Sequence, residues 1–268
     1  MNEERTAEQA SSFGRAAAEY ERSRPTYPDA AVDWLLPTGA TAVLDIGAGT
    51  GKFTRSLLER DLEVTAVEPS ERMRETLTEQ LPTMRALPGS AEQCPLADAS
   101  VDAVTVAQAW HWVDEDRALP QIARVLRPGG TLGLVWNLRD EAVDWVRRLT
   151  DLMHKSGAEL ALEGEVTIGP PFGATETFEV GWSRPMDAHL LLEMVSSRSY
   201  VITAPEDERA AILAGVRELL DTDPALAGRA SFELPYRTYC FRARLSYPGR
   251  AAPLRSSRSA STRPGGSA

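Results

Sequence analysis

Along this chain, short apolar runs closed by turn residues alternate with longer stretches whose apolar positions recur at helical spacing. The alternation predicts an α/β fold, a parallel sheet covered by helices on both faces, because parallel strands need crossover connections. Val43 to Ile46 reads as the first strand and Lys52 to Arg60 as the first helix. The unit repeats in Glu63 to Val67 and Ser70 to Gln80, where Ser70 holds the place of an N-cap hydroxyl. A short third strand is expected from Met84 to Leu87, before the turn-rich "PGSAEQCPLADAS". "VDAVTVAQA", from Val101, is too apolar for an exposed strand and predicts a buried fourth one. The next helix starts near Asp114 and stops at "RVLRPGG", since Pro128 and Gly129-Gly130 end helices, which leaves Thr131 to Asn137 as the fifth strand.

The rest of the pattern is less regular. Helices are expected at Asp140 to His154, Asp187 to Ser196 and Pro205 to Leu220, and strands at Thr177 to Trp182 and Phe232 to Leu245. Residues 155–176 are loop-rich. Before the first strand, helices are expected around Ala16 to Arg22 and Asp29 to Leu36, in a segment free to cover a site at the strand ends.

"VLDIGAGTGKFT", Val43 to Thr54, passes from strand through a glycine turn towards a helix, and three ligands compete for such a turn. A P-loop needs G-x-x-x-x-G-K-[ST]; here Ile46 stands at the first glycine and Phe53 at the hydroxyl, so cradle and metal ligand are both missing. The dinucleotide fingerprint needs G-x-G-x-x-G, but Gly47, Gly49 and Gly51 are spaced G-x-G-x-G and Lys52 takes the last position. The third ligand is S-adenosylmethionine (SAM), whose amino acid tail and ribose need close approach of backbone, which glycine permits. Its ribose diol calls for a carboxylate at the end of the second strand. "LEVTAVEPS" places Glu68 there, 21 positions after Gly47.

Length and charge narrow the partners. At 268 residues the chain suits one sizeable α/β domain with a full core. No run reaches the roughly 18 apolar residues of a membrane span. The N-terminus "MNEERTAEQASSFGR" lacks the apolar centre of a signal peptide, so a soluble cytoplasmic protein is expected. A formal charge of −10 argues against a broad basic face for nucleic acid. Cys94 and Cys240 are too few for a disulfide framework, and with three scattered histidines they make no metal-spacing cluster, so no metal is expected. The stretch 247–268 has four arginines, no acids and little to bury, and reads as a disordered tail.

Four stretches, "FGRAAAEYERSRPTYP", "VLDIGAGTGKFT", "VAQAWHWVD" and "RVLRPGGTLGLVWNLRD", together resemble the class I SAM-dependent methyltransferases. More narrowly they are similar to the small-molecule branch that includes trans-aconitate methyltransferase-like enzymes, over most of residues 13–140. The resemblance implies a Rossmann-like, seven-stranded, mostly parallel sheet with the last strand antiparallel, and SAM across the C-terminal ends of the first strands. It implies that Asp45, Gly47, Ala48, Gly49 and Gly51 border the methionine part of SAM and that Glu68 and Pro69 meet the ribose. Ser70 and Met73 are expected near ribose and adenine, Ser90, Ala91 and Glu92 near the adenine amino group, and Gln108 near the transferring methyl. The plainer reading of Met73 is a core residue, and of Trp110 and Trp112 that at least one packs between sheet and helix. By domain, residues 1–40 would cover the cofactor site, 41–246 would bind SAM with a substrate cap around 141–200, and 247–268 would be tail.

Methyl transfer from a sulfonium needs alignment above all, and an alcohol or carbon acid acceptor also needs a base. His111 stands at a strand end and is the candidate, against the reading that it bonds a backbone carbonyl to orient its loop; His154 and His189 read as surface residues. Tyr20, Arg24 and Tyr27 belong to the covering segment, where a guanidinium suits a carboxylate acceptor, and Arg139 is a second such candidate. Ala107 to Trp110 lacks the [DN]-P-P-[YF] of enzymes that methylate nucleic acid amines. The expected function is therefore methylation of a small molecule, at a carboxylate or hydroxyl oxygen. The alternative is a protein of this fold that binds SAM without transferring methyl.

Overall fold

The computed structural model describes residues 25–153, 155, 157–198, 201–202 and 204–246. Tyr20, Arg24, His154, the helix expected around Ala16 to Arg22 and the tail from 247 lie outside the described residues. Strands β1 (Ala42–Ile46), β2 (Glu63–Val67), β3 (Arg85–Leu87), β4 (Val101–Ala107), β5 (Leu126–Arg139), β6 (Glu176–Met186) and β7 (Phe232–Arg244) form one seven-stranded sheet in the order β3-β2-β1-β4-β5-β7-β6. The first five pair in parallel, and β7 runs antiparallel to both β5 and β6. Helices α1 (Asp29–Leu35), α2 (Lys52–Leu58), α3 (Glu71–Gln80), α4 (Glu115–Val125), α5 (Asp144–Met153), α6 (Gly157–Ala161), α7 (Ala188–Ser196) and α8 (Glu206–Thr222) cover it. Among the described residues no helix is long and apolar enough to cross a membrane.

β1 is buried along its whole length because alternate residues serve two cores. Leu44 and Ile46 pack with Val104, Val106, Leu132, Leu134 and Ile122 of α4. Val43 turns the other way, to Ala103, Val135, Leu35 of α1 and Phe53 and Leu57 of α2. This two-faced burial is why the central strands read as continuous apolar runs. Each such leucine stabilises the fold by roughly 1.5–3 kcal/mol. A third core of Trp145, Leu149, Met194, Val216, Leu234 and Tyr236 joins the antiparallel β6–β7 pair to α5, α7 and α8.

One expectation needs correction. β5 starts at Leu126 and not at Thr131: α4 ends at Val125, Leu126 already lies opposite Val101, and Thr131 opposite Ala103. "RPGG" therefore bulges out of the strand instead of separating it from the helix, since Pro128 has no N–H for a ladder. Arg127 of the bulge pairs with Asp102 at 2.9 Å, and Asp102 also accepts from the Thr41 and Ala42 N–H groups at 2.8 and 3.0 Å. Burial opposes ionisation of Asp102, but these bonds outweigh it and hold the carboxyl down at about 2. Ala31, Val32 and Leu35 of α1 are fully buried against the β5–β7–β6 end of the sheet, so α1 packs as a core helix.

Candidate active site

From β1 the chain runs outward to β2 and β3, then returns to lay β4 along the other side of β1. The winding reverses between β1 and β4, and an open α/β sheet takes its ligand at such a crevice, outside the C-terminal strand ends. The loops at that edge are 47–51, 68–70, 88–92 and 108–112, which carry most of the expected site residues.

Gly47, Gly49 and Gly51 all take left-handed φ angles, +69°, +58° and +89°. Gly47 donates to the Val67 carbonyl at 2.8 Å, bending the loop towards β2. A Cβ at Gly47 would stand 2.9 Å from the Ala109 Cβ, so glycine is what lets the loop after β4 close on the loop after β1. Glu68 is 6% exposed and ties the loop after β2 to the loop after β1. Its Oε2 accepts from the Gly49 N–H and its Oε1 from the Ser70 N–H, each at 2.9 Å. Ser70 is the N-cap of α3 as expected, accepting from the Met73 N–H at 3.4 Å. Met73 is 41% exposed at this edge, so the core reading of it fails.

Asp45 lies behind the loop with no exposed surface. Its Oδ2 accepts from the Thr54 hydroxyl at 2.6 Å and its Oδ1 from the Thr105 hydroxyl at 3.2 Å. Burial drives its carboxyl up to about 7 against the pull of these two hydroxyls. Asp45 thus braces the turn from below and presents no side-chain surface to a ligand. In the loop after β3, the Ala91 side chain is buried in the core. Glu92 accepts from the Asp114 N–H at 2.9 Å, tying that loop to the start of α4. Burial raises the Glu92 carboxyl, but bonds from the Ser90 hydroxyl and the Asp114 N–H prevail and lower it.

At the end of β4, Gln108 has φ +58°, a left-handed backbone that side chains rarely adopt. Its N–H donates to the Val135 carbonyl at 2.8 Å and its Nε2 to the Asn137 carbonyl at 3.1 Å. The 3₁₀ turn Trp110–Trp112 follows. Trp110 is buried, with its indole N–H donating to Glu115 at 2.9 Å, and so takes the packing role. Trp112 is 81% exposed. His111 is half-buried against α6, where a Cβ on Gly157 would lie 3.0 Å from the ring. Its Nδ1 is buried with no hydrogen-bond partner, so the reading in which it bonds a carbonyl finds none at that nitrogen. Burial lowers the imidazole pKa and favours the neutral, base-competent form. His189, as expected, is at the surface.

Arg139 is not available to an acceptor carboxylate. Its Nη2 donates to Glu159 of α6 at 2.6 Å, and the pair is buried. Sequence reasoning passed over Glu159, and also Asn137 and Thr238, whose side chains meet at 2.6 Å behind Gln108. The signal for Asn137 was a polar residue closing the apolar run "TLGLVW". Among the described residues no group of three or more His, Cys, Asp or Glu could hold a metal ion.

A model of the methyltransferase domain matches residues 44–134. An uncharacterised methyltransferase of Mycobacterium tuberculosis is 52% identical over 235 residues, which span 88% of this chain and 96% of that protein. A malonyl-[acyl-carrier protein] O-methyltransferase of Pectobacterium atrosepticum is 36% identical over 127 residues, 46% of this chain and 50% of that one. Among solved structures, a candidate type II methyltransferase from Anaeromyxobacter dehalogenans superposes with a TM-score of 0.64 at 26% identity, covering 83% of this chain and 98% of that one. The chain belongs to the class I SAM-dependent methyltransferases.

Proposed function

We propose that this enzyme binds SAM in the crevice between β1 and β4 and methylates an oxygen, carboxylate or hydroxyl, of a small-molecule acceptor. The observation that carries the reading is Glu68, a buried carboxylate at the C-terminal end of β2, held by the Gly49 and Ser70 N–H groups. Each of its oxygens has spent one of roughly two lone pairs, which leaves capacity for a ribose diol. A Cβ on Gly49 would meet nothing within 4 Å, so the loop has an open face as such a ligand requires.

When bound, SAM supplies an electrophilic methyl on a sulfonium. The residues here hold and orient. Gly47, Ala48, Gly49 and Gly51 offer backbone to the amino acid tail, with Asp45 bracing them. Glu68, Pro69, Ser70 and Met73 meet ribose and adenine, and Ser90, Glu92 and the Ala91 backbone close the adenine side. Gln108 stands nearest the methyl. Such alignment is worth roughly 7–11 kcal/mol where geometry is near ideal. For a hydroxyl acceptor, neutral His111 takes the proton. Tyr20 and Arg24 are assigned to the acceptor because the chain following them passes the site: Asn137 Nδ2 donates to the Thr26 carbonyl at 2.9 Å. The cap around 141–200 completes the acceptor pocket, with Gly157 already against His111.

The oxygen acceptor is supported by the name of the partial relative, an O-methyltransferase, and by a neutral histidine beside the β4 end. No feature of the site favours binding without transfer. The test is calorimetric titration with SAM and S-adenosylhomocysteine (SAH), with NAD and ATP as controls, followed by SAH release against a panel of carboxylic acids and alcohols. Binding of both sulfur ligands that is lost in Glu68→Ala, with turnover of an oxygen acceptor, is the expected result. Folded protein that ignores SAM would sink the assignment of the crevice, and turnover confined to amines would sink the oxygen acceptor.

A further inference from the structure

Behind Gln108 a buried polar chain runs across three strands. The Trp182 indole N–H on β6 donates to the Thr238 hydroxyl on β7 at 2.9 Å, and that hydroxyl donates to Asn137 Oδ1 on β5 at 2.6 Å. The amide orientation of Asn137 is fixed at its other end, where Nδ2 donates to the Thr26 carbonyl at 2.9 Å. Thr238 is 0% exposed and Asn137 7%. Valine at 238 would fill the same space but leave the Trp182 indole N–H and Asn137 Oδ1 without the partner they have in Thr238, which is costly for buried groups. A chain in which every donor has one acceptor specifies orientation.

What it orients is Gln108. That residue is held at backbone and side chain by carbonyls of Val135 and Asn137, two positions apart on β5. Any shift at the end of β5 therefore moves the whole of Gln108, which is already in a left-handed conformation that its surroundings must impose. With Nε2 spent on Asn137, the amide dipole of Gln108 has one direction. Among the described residues its Oε1 accepts no hydrogen bond, leaving a partially negative oxygen at the end of β4.

We propose that Asn137 and Thr238 are positioning residues which, through Gln108, set the enzyme's preference between a sulfonium ligand and its neutral thioether product. The inference rests on the SAM reading of the crevice. SAM and SAH differ at one methyl and one positive charge, so an oriented carbonyl oxygen distinguishes them, while loss of scaffold alone weakens both alike. Thr238 itself reaches no ligand, being fully buried on β7 between β5 and β6.

The experiment compares SAM and SAH dissociation constants by calorimetry for wild type, Thr238→Val, Thr238→Ser and Gln108→Ala, with a thermal melt of each. Thr238→Val is expected to change the SAM/SAH ratio by about three- to tenfold. Thr238→Ser, which keeps the hydroxyl, should retain the wild-type ratio. Combined with Gln108→Ala, Thr238→Val should change the ratio no further, because the two act through one group. Equal weakening of both ligands by Thr238→Val, or additive changes in the double variant, overturns the proposal. Wild type that binds neither ligand overturns the SAM reading itself, a result distinct from both. If Thr238→Val does not fold, Thr238→Ala removes the same hydroxyl, and an unaltered ratio in that variant overturns the proposal as well.

Discussion

Arg139 and Glu159 form a buried ion pair, Nη2 to Oε1 at 2.6 Å, with 3% and 8% of their side chains exposed. The Arg139 guanidinium also donates to the Thr150 hydroxyl at 3.3 and 3.2 Å, so it joins β5 to both α5 and α6. Removing one partner strands a charge in the interior, at a cost of about 3–5 kcal/mol. Arg139→Met and Glu159→Leu are each expected to lose stability on that scale in urea denaturation. The double variant should lose clearly less than the sum, since neither charge is then left alone. Strictly additive losses would show that the two side chains do not depend on each other.

The same pair shows where reading by sequence stops. Local signals translated directly: Glu63 to Val67 is β2 as expected, and Ser70 caps α3, because periodicity and capping act within one turn of chain. The start of β5 falls at Leu126 and not at Thr131 because pairing of Leu126 with Val101, 25 positions back, overrides a local breaker. The glycine loop and Glu68 were legible as a pair since turn chemistry and strand end fix their separation. Arg139 was open to misreading because its partner comes from another element. Asn137 and Thr238 are 101 positions apart, and no local pattern announces their contact.

Asp45 makes the stability of the ligand-free protein depend on pH. Unfolded, an aspartate titrates near 3.9; folded, burial raises Asp45 to about 7. Between those values the folded chain keeps a proton that the unfolded chain has released, so stability falls as pH rises from about 4 to about 7. The difference corresponds to on the order of 4 kcal/mol. Asp45→Asn keeps the shape and has no such proton, so its stability should be flatter than that of wild type across the window. Denaturation curves of both proteins at pH 5 and 7.5 check this, and parallel pH slopes would assign the retained proton elsewhere.

Gly47 and Gly39 separate backbone strain from crowding. Both are left-handed, at +69° and +79°, but a Cβ at Gly47 would press on Ala109 at 2.9 Å while one at Gly39 would meet nothing within 4 Å. Gly39→Ala should lose roughly 1–2 kcal/mol, the conformational cost alone, and keep its SAM affinity. Gly47→Ala should lose more, and should weaken SAM by about tenfold or more, about 1.4 kcal/mol, because Ala109 pushes the loop off its place. Melts and calorimetry on the two variants measure both effects. Equal affinity for SAM in the two would mean that the loop after β4 does not bear on the crevice.

His111 tells the acceptor's chemistry apart. A carboxylate acceptor arrives ionised and needs no base, whereas a hydroxyl must give up its proton as the bond to carbon forms. Burial lowers the His111 pKa, so the imidazole stays neutral somewhat below its ordinary value of about 6.5, and activity that needs it falls only in more acid solution. His111→Gln preserves polarity without the base. With a hydroxyl acceptor it should lower kcat by about 10²- to 10⁴-fold and abolish the acid limb of the pH–rate profile, while SAM affinity holds. With a carboxylate acceptor, kcat should change little and the profile should keep its shape. A large fall in kcat together with an equal loss of SAM affinity fits neither case and would return His111 to a packing residue against Gly157.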